Sequence, residues 1–380
     1  HRGMLTRTID ARKVASMTVP RIREGHGIQR VQRSGVVNGH DLPALDELEL
    51  VVVVDNETDT LSSVDPGLPQ QPEVASLMAR IPPSRHHDGH PGHQVFDHLC
   101  VACHGLSVLV TGRSGDRTST VLFDVGPYGD VWIDNAERLG LDLSTIETVF
   151  LSHWHADHSG GFPTAVAAIA RARAEAGLPA PVVDVHPDRP DQRGILMPSG
   201  SFILLPPEPT FDELGSAGGV VARNAEPHAV ADLFYGSGAI DRVTAYETGL
   251  VGHHSFDGDD ARPDPLIMDE RFLAALVPGR GVTVLSACSH AGIVNACLGA
   301  QRAYPGAPID VVLGGYHLAG AAMESRIDDT VRDLGERIAP KVVAPGHCTG
   351  WRAKAALAER FAPGRYAPSV VGSRFRLASE

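Results

Sequence analysis

Apolar residues in this chain fall into short runs separated by turn-forming stretches, and the runs change character along its length. LELVVVVDN at 48–56 predicts a strand, and LSVLVTG (106–112) and STVLFDVG (119–126) predict two more, joined by the turn-like RSGDR. VWIDNAERLG (131–140) predicts a helix, and ETVFL (147–151) a short buried strand. From there helices and strands alternate. TAVAAIARARAEAG (164–177) predicts a helix closing on glycine, PVVDVH (181–186) a strand, MDERFLAALV (268–277) a helix and GVTVLSACS (281–289) a strand. AGIVNACLGAQRAY (291–304), MESRIDDTVRDLGERI (323–338) and WRAKAALAERF (351–361) predict helices around the strands PIDVVLGG (308–315) and KVVAPG (341–346).

An early set of antiparallel-looking strands followed by strand–helix units predicts an α/β or α+β layered fold with helices outside. The first 45 residues lack periodicity and are expected to be a flexible lead-in to a single domain over 46–380. Two insertions interrupt that domain. Residues 60–98 are rich in Pro, Gly, His and Ser, with one helical turn expected around EVASLMAR (73–80). Residues 187–240 read as irregular, with short strands at best.

Composition narrows the partners. The 380 residues carry a formal charge of −13, which repels phosphate backbones and argues against nucleic acid. No apolar run approaches the roughly 20 residues of a membrane span. Five cysteines without a regular framework suit a reducing compartment, so a cytoplasmic location is expected. Composition says nothing about oligomeric state.

The chemistry concentrates in LSHWHADHSGG, residues 151–161. At a strand end, His153 and His155 project to the same side, while Asp157 and His158 follow where the chain turns into a helix. Imidazole and carboxylate are donors for borderline divalent ions such as zinc. Two ions about 3.5–4 Å apart can hold a water and lower its pKa toward neutrality. His153 and His155 are expected to grip one ion and Asp157 and His158 to face another, with Gly160 and Gly161 letting the backbone pass close by. Three later histidines, His290, His317 and His347, each follow a predicted strand and precede a helix, so they can converge on one edge.

SHWHADHSGG resembles the signature of the metallo-β-lactamase superfamily, which implies a four-layered αβ/βα sandwich with a metal site at one edge of its two sheets. CSHAGIVN, GGYHL and GHCTG, with VVDN, HGLSVLV and DPLIMDE upstream, resemble the branch named after 7,8-dihydropterin-6-methyl-4-(β-D-ribofuranosyl)-aminobenzene-5′-phosphate synthase. The resemblance runs from about Val51 to about Gly350. It implies that His290 and His347 complete the metal shells, and that Asp124 in LFDVG orients ligands from behind. His104, Ser289 and Thr349 are expected behind the ligands or against substrate, Asp157 and His317 are the expected catalytic groups, and His317 is left open between a proton donor, a further ligand and a group holding a substrate phosphate. Two departures stand out. VVLGGYHL ends without the superfamily's bridging aspartate, so one ion or two is left open, and Cys103 replaces a glutamate before HGLS.

The expected activity is that of a metal-dependent hydrolase using zinc-bound hydroxide on a small, anionic ester, lactone or phosphoester, with manganese or iron as alternative metals. The alternatives are a synthase-like transferase, a non-catalytic metal-dependent binding protein and an iron oxygenase. CVACH (100–104) matches a haem-attachment pattern but lacks the export context such attachment requires. The histidines at 86–98, and the pair His253–His254, read as solvated loops.

Overall fold

The strand Glu47–Val54 shows how the layers arise. Its side chains alternate between two cores. Leu48, Leu50 and Val52 join a cluster with Leu273, Val277, Leu285 and Leu313, while Val51 and Val53 pack with Trp132, Phe162 and Val166 of two helices. A strand buried on both faces must be largely apolar, and within LELVVVV the partly buried Glu49 alone departs from that.

The computed structural model describes residues 37–65, 67–68 and 79–379. A seven-stranded sheet runs in the order 220–223, 182–185, 146–150, 117–123, 107–114, 47–54 and 374–378. A six-stranded sheet runs 228–230, 234–236, 273–277, 281–286, 309–315 and 342–346. Their inner faces meet in one core. The helices Gly129–Leu139 and Phe162–Glu175 cover the first sheet. The helices Ile293–Ala303 and Trp351–Phe361 cover the second. This is the four-layered αβ/βα arrangement. No helix among the described residues is long and apolar enough to cross a membrane.

Four expectations need amendment. MDERFLAALV is not a helix: Leu273–Val277 is a strand paired antiparallel with Gly281–Ser286. Leucine and alanine favour helices, but Leu273, Ala275 and Val277 alternate with Ala274 between two cores, and pairing decides the outcome. The 187–240 insertion is more regular than expected, since it holds the helix Phe211–Ser216 and five short strands. One of them, Gln192–Leu196, joins His253–Asp257 in an accessory four-stranded sheet ordered 260–263, 253–257, 192–196, 202–204. Packing also begins before residue 46: Leu45 is fully buried and its N–H donates to the Leu276 carbonyl at 2.8 Å. The rest of the expected lead-in, up to residue 36, lies outside the described residues, as does most of EVASLMAR. Finally, a Cβ on Gly160 would lie 2.6 Å from the Pro127 carbonyl oxygen, and one on Gly161 2.6 Å from Val125 Cγ1. What these glycines make room for is therefore the loop after Phe123, which the expected close passage of the backbone had not specified.

Arg271 ties the layers beneath the histidine cluster. Fully buried, it donates to Asp184 Oδ1 at 2.8 Å and to the Asn224 carbonyl at 3.1 Å, and its guanidinium lies 4.3 Å from the Phe150 ring centre. Removing the cation leaves the buried Asp184 with His228 at 2.7 Å and Asn224 at 3.0 Å on Oδ2, and takes the charged partner from Oδ1. Arg271→Ala is expected to destabilise the protein by about 3–5 kcal/mol, read as a lower urea midpoint with an unchanged slope. An unchanged midpoint would refute this role.

Candidate metal centre

Every expected site residue sits at one edge of the two sheets. Asp124 follows the strand Arg117–Phe123, and the 151–158 segment follows Ile146–Phe150. His290, His317 and His347 follow the parallel strands Gly281–Ser286, Ile309–Gly315 and Val342–Gly346. Ligands gather at the carboxyl ends of such strands because the loops there converge.

Two donor sets result. In the first, His155 Nδ1 lies 3.0 Å from His153 Nε2 and 3.2 Å from His290 Nε2. In the second, Asp157 Oδ2 lies 3.2 Å from His347 Nε2 and 3.7 Å from His158 Nε2. Nitrogens bound to one tetrahedral zinc at 2.0–2.1 Å would stand about 3.3 Å apart. The donor chemistry and spacing fit a divalent cation at each set. His317 belongs to neither; its ring lies 4.4 Å from that of His290.

Hydrogen bonds behind the rings fix which nitrogen faces inward. Ser152 Oγ donates to Asp124 Oδ2 at 2.7 Å, so it must accept from His153 Nδ1–H at 2.9 Å. His158 Nδ1–H donates to Asp124 Oδ2 at 2.8 Å, and His347 Nδ1–H to Asn56 Oδ1 at 3.1 Å. His253 Nδ1–H donates to the Asp264 carbonyl at 2.7 Å, which leaves its Nε2 to accept from His155 Nε2–H at 2.9 Å. The lone pairs of His153, His155, His158 and His347 consequently point into the centre. His290 Nδ1 is buried without a partner.

Carboxylates also hold the loops. Asp269 accepts from Trp154 N–H at 2.7 Å, between the first two histidines. Glu270 accepts from the N–H groups of His290 and Ala291 at 2.7 and 2.6 Å. Asp55 accepts from His347 N–H at 2.7 Å. Thr349 Oγ1 accepts from Tyr316 N–H and donates to the Gly346 carbonyl, tying the His317 and His347 loops together, while Ser289 Oγ donates to the Gly315 carbonyl. These two hydroxyls brace loops and do not line the cavity. Asp124, Ser289, His317 and His347 all have positive φ, between 43° and 61°, so strained backbone concentrates at the centre.

Burial pushes His153, His155 and His290 well below the ordinary imidazole range, and takes His317 and His347 down to about 4. Neutral imidazole is the ligating form. In His158 burial acts the same way but the Asp157 and Asp124 carboxylates outweigh it, bringing it to about 9. Asp157, despite burial, is held well below its usual range by His158 and His347.

Above the centre lies a cavity of about 330 Å³. Asp157, His290, His317 and Cys348 face it from below, with His104 at the rim, 3.5 Å from Asp157. Tyr128, Ile195, Leu205, Pro206 and Leu250 form apolar walls. His253, expected in a solvated loop, is almost fully buried against His155, because Ile195 pairs with it across the accessory sheet. His254, by contrast, stays partly exposed. The reading also missed Cys288, whose Sγ lies 3.2 Å from both His158 and His347. CVACH is accounted for otherwise: Cys103 N–H donates to the Asp55 carbonyl and His104 meets Asn56. His86, His87 and His90 lie exposed on a hairpin, outside both donor sets.

The layers and the paired donor sets fit an enzyme of the metal-dependent kind. The profile of the metallo-beta-lactamase superfamily matches residues 100–315, more than half of the chain, and the protein belongs to that superfamily. Within it, the chain is 24% identical over 261 residues to a 7,8-dihydropterin-6-methyl-4-(beta-D-ribofuranosyl)-aminobenzene-5'-phosphate synthase of Methanocaldococcus jannaschii, covering 68% of this chain and 85% of that one. The lactamase-like protein vrtG of Penicillium aethiopicum is 31% identical over 130 residues, 34% of this chain and 36% of that one. A solved metal-dependent hydrolase of the beta-lactamase superfamily, Tm1679, superposes with a TM-score of 0.59 at 22% identity, over 87% of this chain and 99% of that one.

His253 provides a test of ring orientation. A glutamine there can accept from His155 Nε2–H and donate to the Asp264 carbonyl; alanine can do neither. His253→Ala is expected to weaken zinc binding about 10- to 100-fold, with His253→Gln recovering most of it in competition against a chromophoric chelator. Equal affinity in all three proteins would show that His155 needs no such partner.

Proposed function

We propose that the protein is a metal-dependent hydrolase of small esters or lactones, with phosphoesters as a wider class, and that it works with zinc. What supports this most is the pair of adjacent donor sets, His153/His155/His290 and Asp157/His158/His347, at the floor of a cavity with apolar walls. Zinc held there supplies Lewis acidity and lowers the pKa of water.

The chain's own groups do the rest. Asp157, with 20% of its side chain exposed, faces both the second donor set and the cavity, and so orients the attacking water as well as binding. His317 lines the cavity outside both sets, placed to hydrogen-bond the leaving-group oxygen. The apolar walls exclude bulk water and strengthen each polar contact inside. None of the described lining residues is lysine or arginine. That favours an apolar body with one carbonyl end directed at the centre over the anionic substrate expected from sequence. Small-molecule turnover fits the cavity, the acidic chain argues against nucleic-acid partners, and cysteines without a regular framework suit a reducing compartment such as the cytoplasm.

The synthase relative supports a second reading, in which the same centre assists loss of pyrophosphate during pterin-methyl transfer. A pterin pyrophosphate separates the two by yielding either condensation with the aminobenzene or hydrolysis alone.

Purified protein is expected to carry one to two equivalents of zinc, and the double variant His153→Ala, His155→Ala to lose both metal and turnover on an ester and lactone panel. Full turnover by metal-free protein would defeat the proposal.

A further inference from the structure

Resting on that metal-centre reading, the geometry points to Cys288 as the missing link between the two donor sets. We propose that its thiolate ligates cations at both positions, standing in for the bridging carboxylate that the chain lacks.

Cys288 lies on the loop after Gly281–Ser286, two residues before His290, and is buried. Its Sγ forms a group with Asp157, His158 and His347, and another with His153 and His290; within each, all donor atoms lie within 4.8 Å of one another. Among the described residues it is the one side chain common to both groups.

A buried cysteine ordinarily packs as a small apolar residue. This one has an imidazole nitrogen on each side, His158 Nε2 and His347 Nε2, both at 3.2 Å. A thiol has one hydrogen and can donate to one of them; a shared cation engages both nitrogens and the sulfur. Zinc–sulfur and zinc–nitrogen bonds of 2.3 and 2.0–2.1 Å place tetrahedral neighbours about 3.6 Å apart, close to what is seen.

The strand Ile309–Gly315, at whose end the resemblance implies a bridging carboxylate, is closed to one at Gly315. A Cβ on Gly315 would lie 2.5 Å from the Ala287 carbonyl oxygen and 2.6 Å from Cys348 Sγ. The space is closed by the neighbouring loop, and the sulfur enters from that loop instead. Ligation forms the sulfur–metal bonds and releases the thiol proton to solvent. A thiolate donor also favours zinc over manganese, since soft ligands select soft or borderline ions.

Loading the metal-free full chain with cobalt(II) tests this through the absorption spectrum. A thiolate-to-cobalt charge-transfer band is expected in the native protein and in Cys348→Ser, whose Sγ is 3.5 Å from Cys288, and is expected to vanish in Cys288→Ser. X-ray absorption of the zinc-loaded native protein, which requires no variant to fold, should show a sulfur neighbour at about 2.3 Å. Cobalt or zinc bound by nitrogen and oxygen alone, or a band that survives Cys288→Ser, overturns the role of Cys288 while leaving the metal centre intact. Failure of both metals to bind overturns the two together.

Discussion

Acceptance by buried carboxylates of the N–H groups behind the ligand rings and along their loops is the constraint on which the centre depends. A cluster of imidazoles can present lone pairs to a cation only if each ring's other nitrogen, and the loop carrying it, is held from behind. Asp124 holds the His153 and His158 rings, Asp55 and Glu270 hold backbone N–H groups at His347 and His290, and Asp269 holds the turn between His153 and His155. Such groups are costly to bury and need compensation. Asp269 has it in Arg193 at 2.6 Å. Asp55 and Glu270 face backbone dipoles, and burial raises both, Glu270 to about 7. Lys354 and Arg242 offset that burial in part, and cations held at the donor sets would add to their effect.

The sheets make this arrangement possible. Ligand loops leave parallel strands of two facing sheets at the same end, so residues from 55 to 347 meet without any long excursion. The positive φ values at Asp124, Ser289, His317 and His347 mark the local cost of turning side chains inward within one or two residues of a strand end. A rigid two-sheet core can sustain that strain where an isolated loop would relax.

What could be read from the sequence followed the range of the interaction. The 153–158 cluster was legible because a single strand end and turn place all four side chains. Strand, loop and helix around His290, His317 and His347 made their convergence legible, and only the resemblance set His290 and His347 apart from His317. Asp269 and Glu270, within DPLIMDE and at the head of the expected helix MDERFLAALV, carried no sign of this role, since their partners are 115 and 20 residues away in sequence. Cys288 was passed over because sulfur beside SHAG has no local pattern that separates a donor from a packed thiol. MDERFLAALV misled because its helix-forming residues conceal a two-residue alternation that matters only once two cores exist.

The accessory sheet joins recognition to the metal centre. Ile195 forms part of a cavity wall, and its strand partner His253 accepts the proton that fixes the His155 ring. Packing in the cavity therefore bears on the same pair of strands that sets the direction of a donor lone pair. In a layered fold whose core strands are fixed by two hydrophobic faces, an insertion of this kind is where substrate shape can change without displacing the histidines on the core strands. The direct bond to His155 limits that freedom: variation that shifts His253 must preserve an acceptor at 2.9 Å or lose the ring orientation on which the first donor set relies.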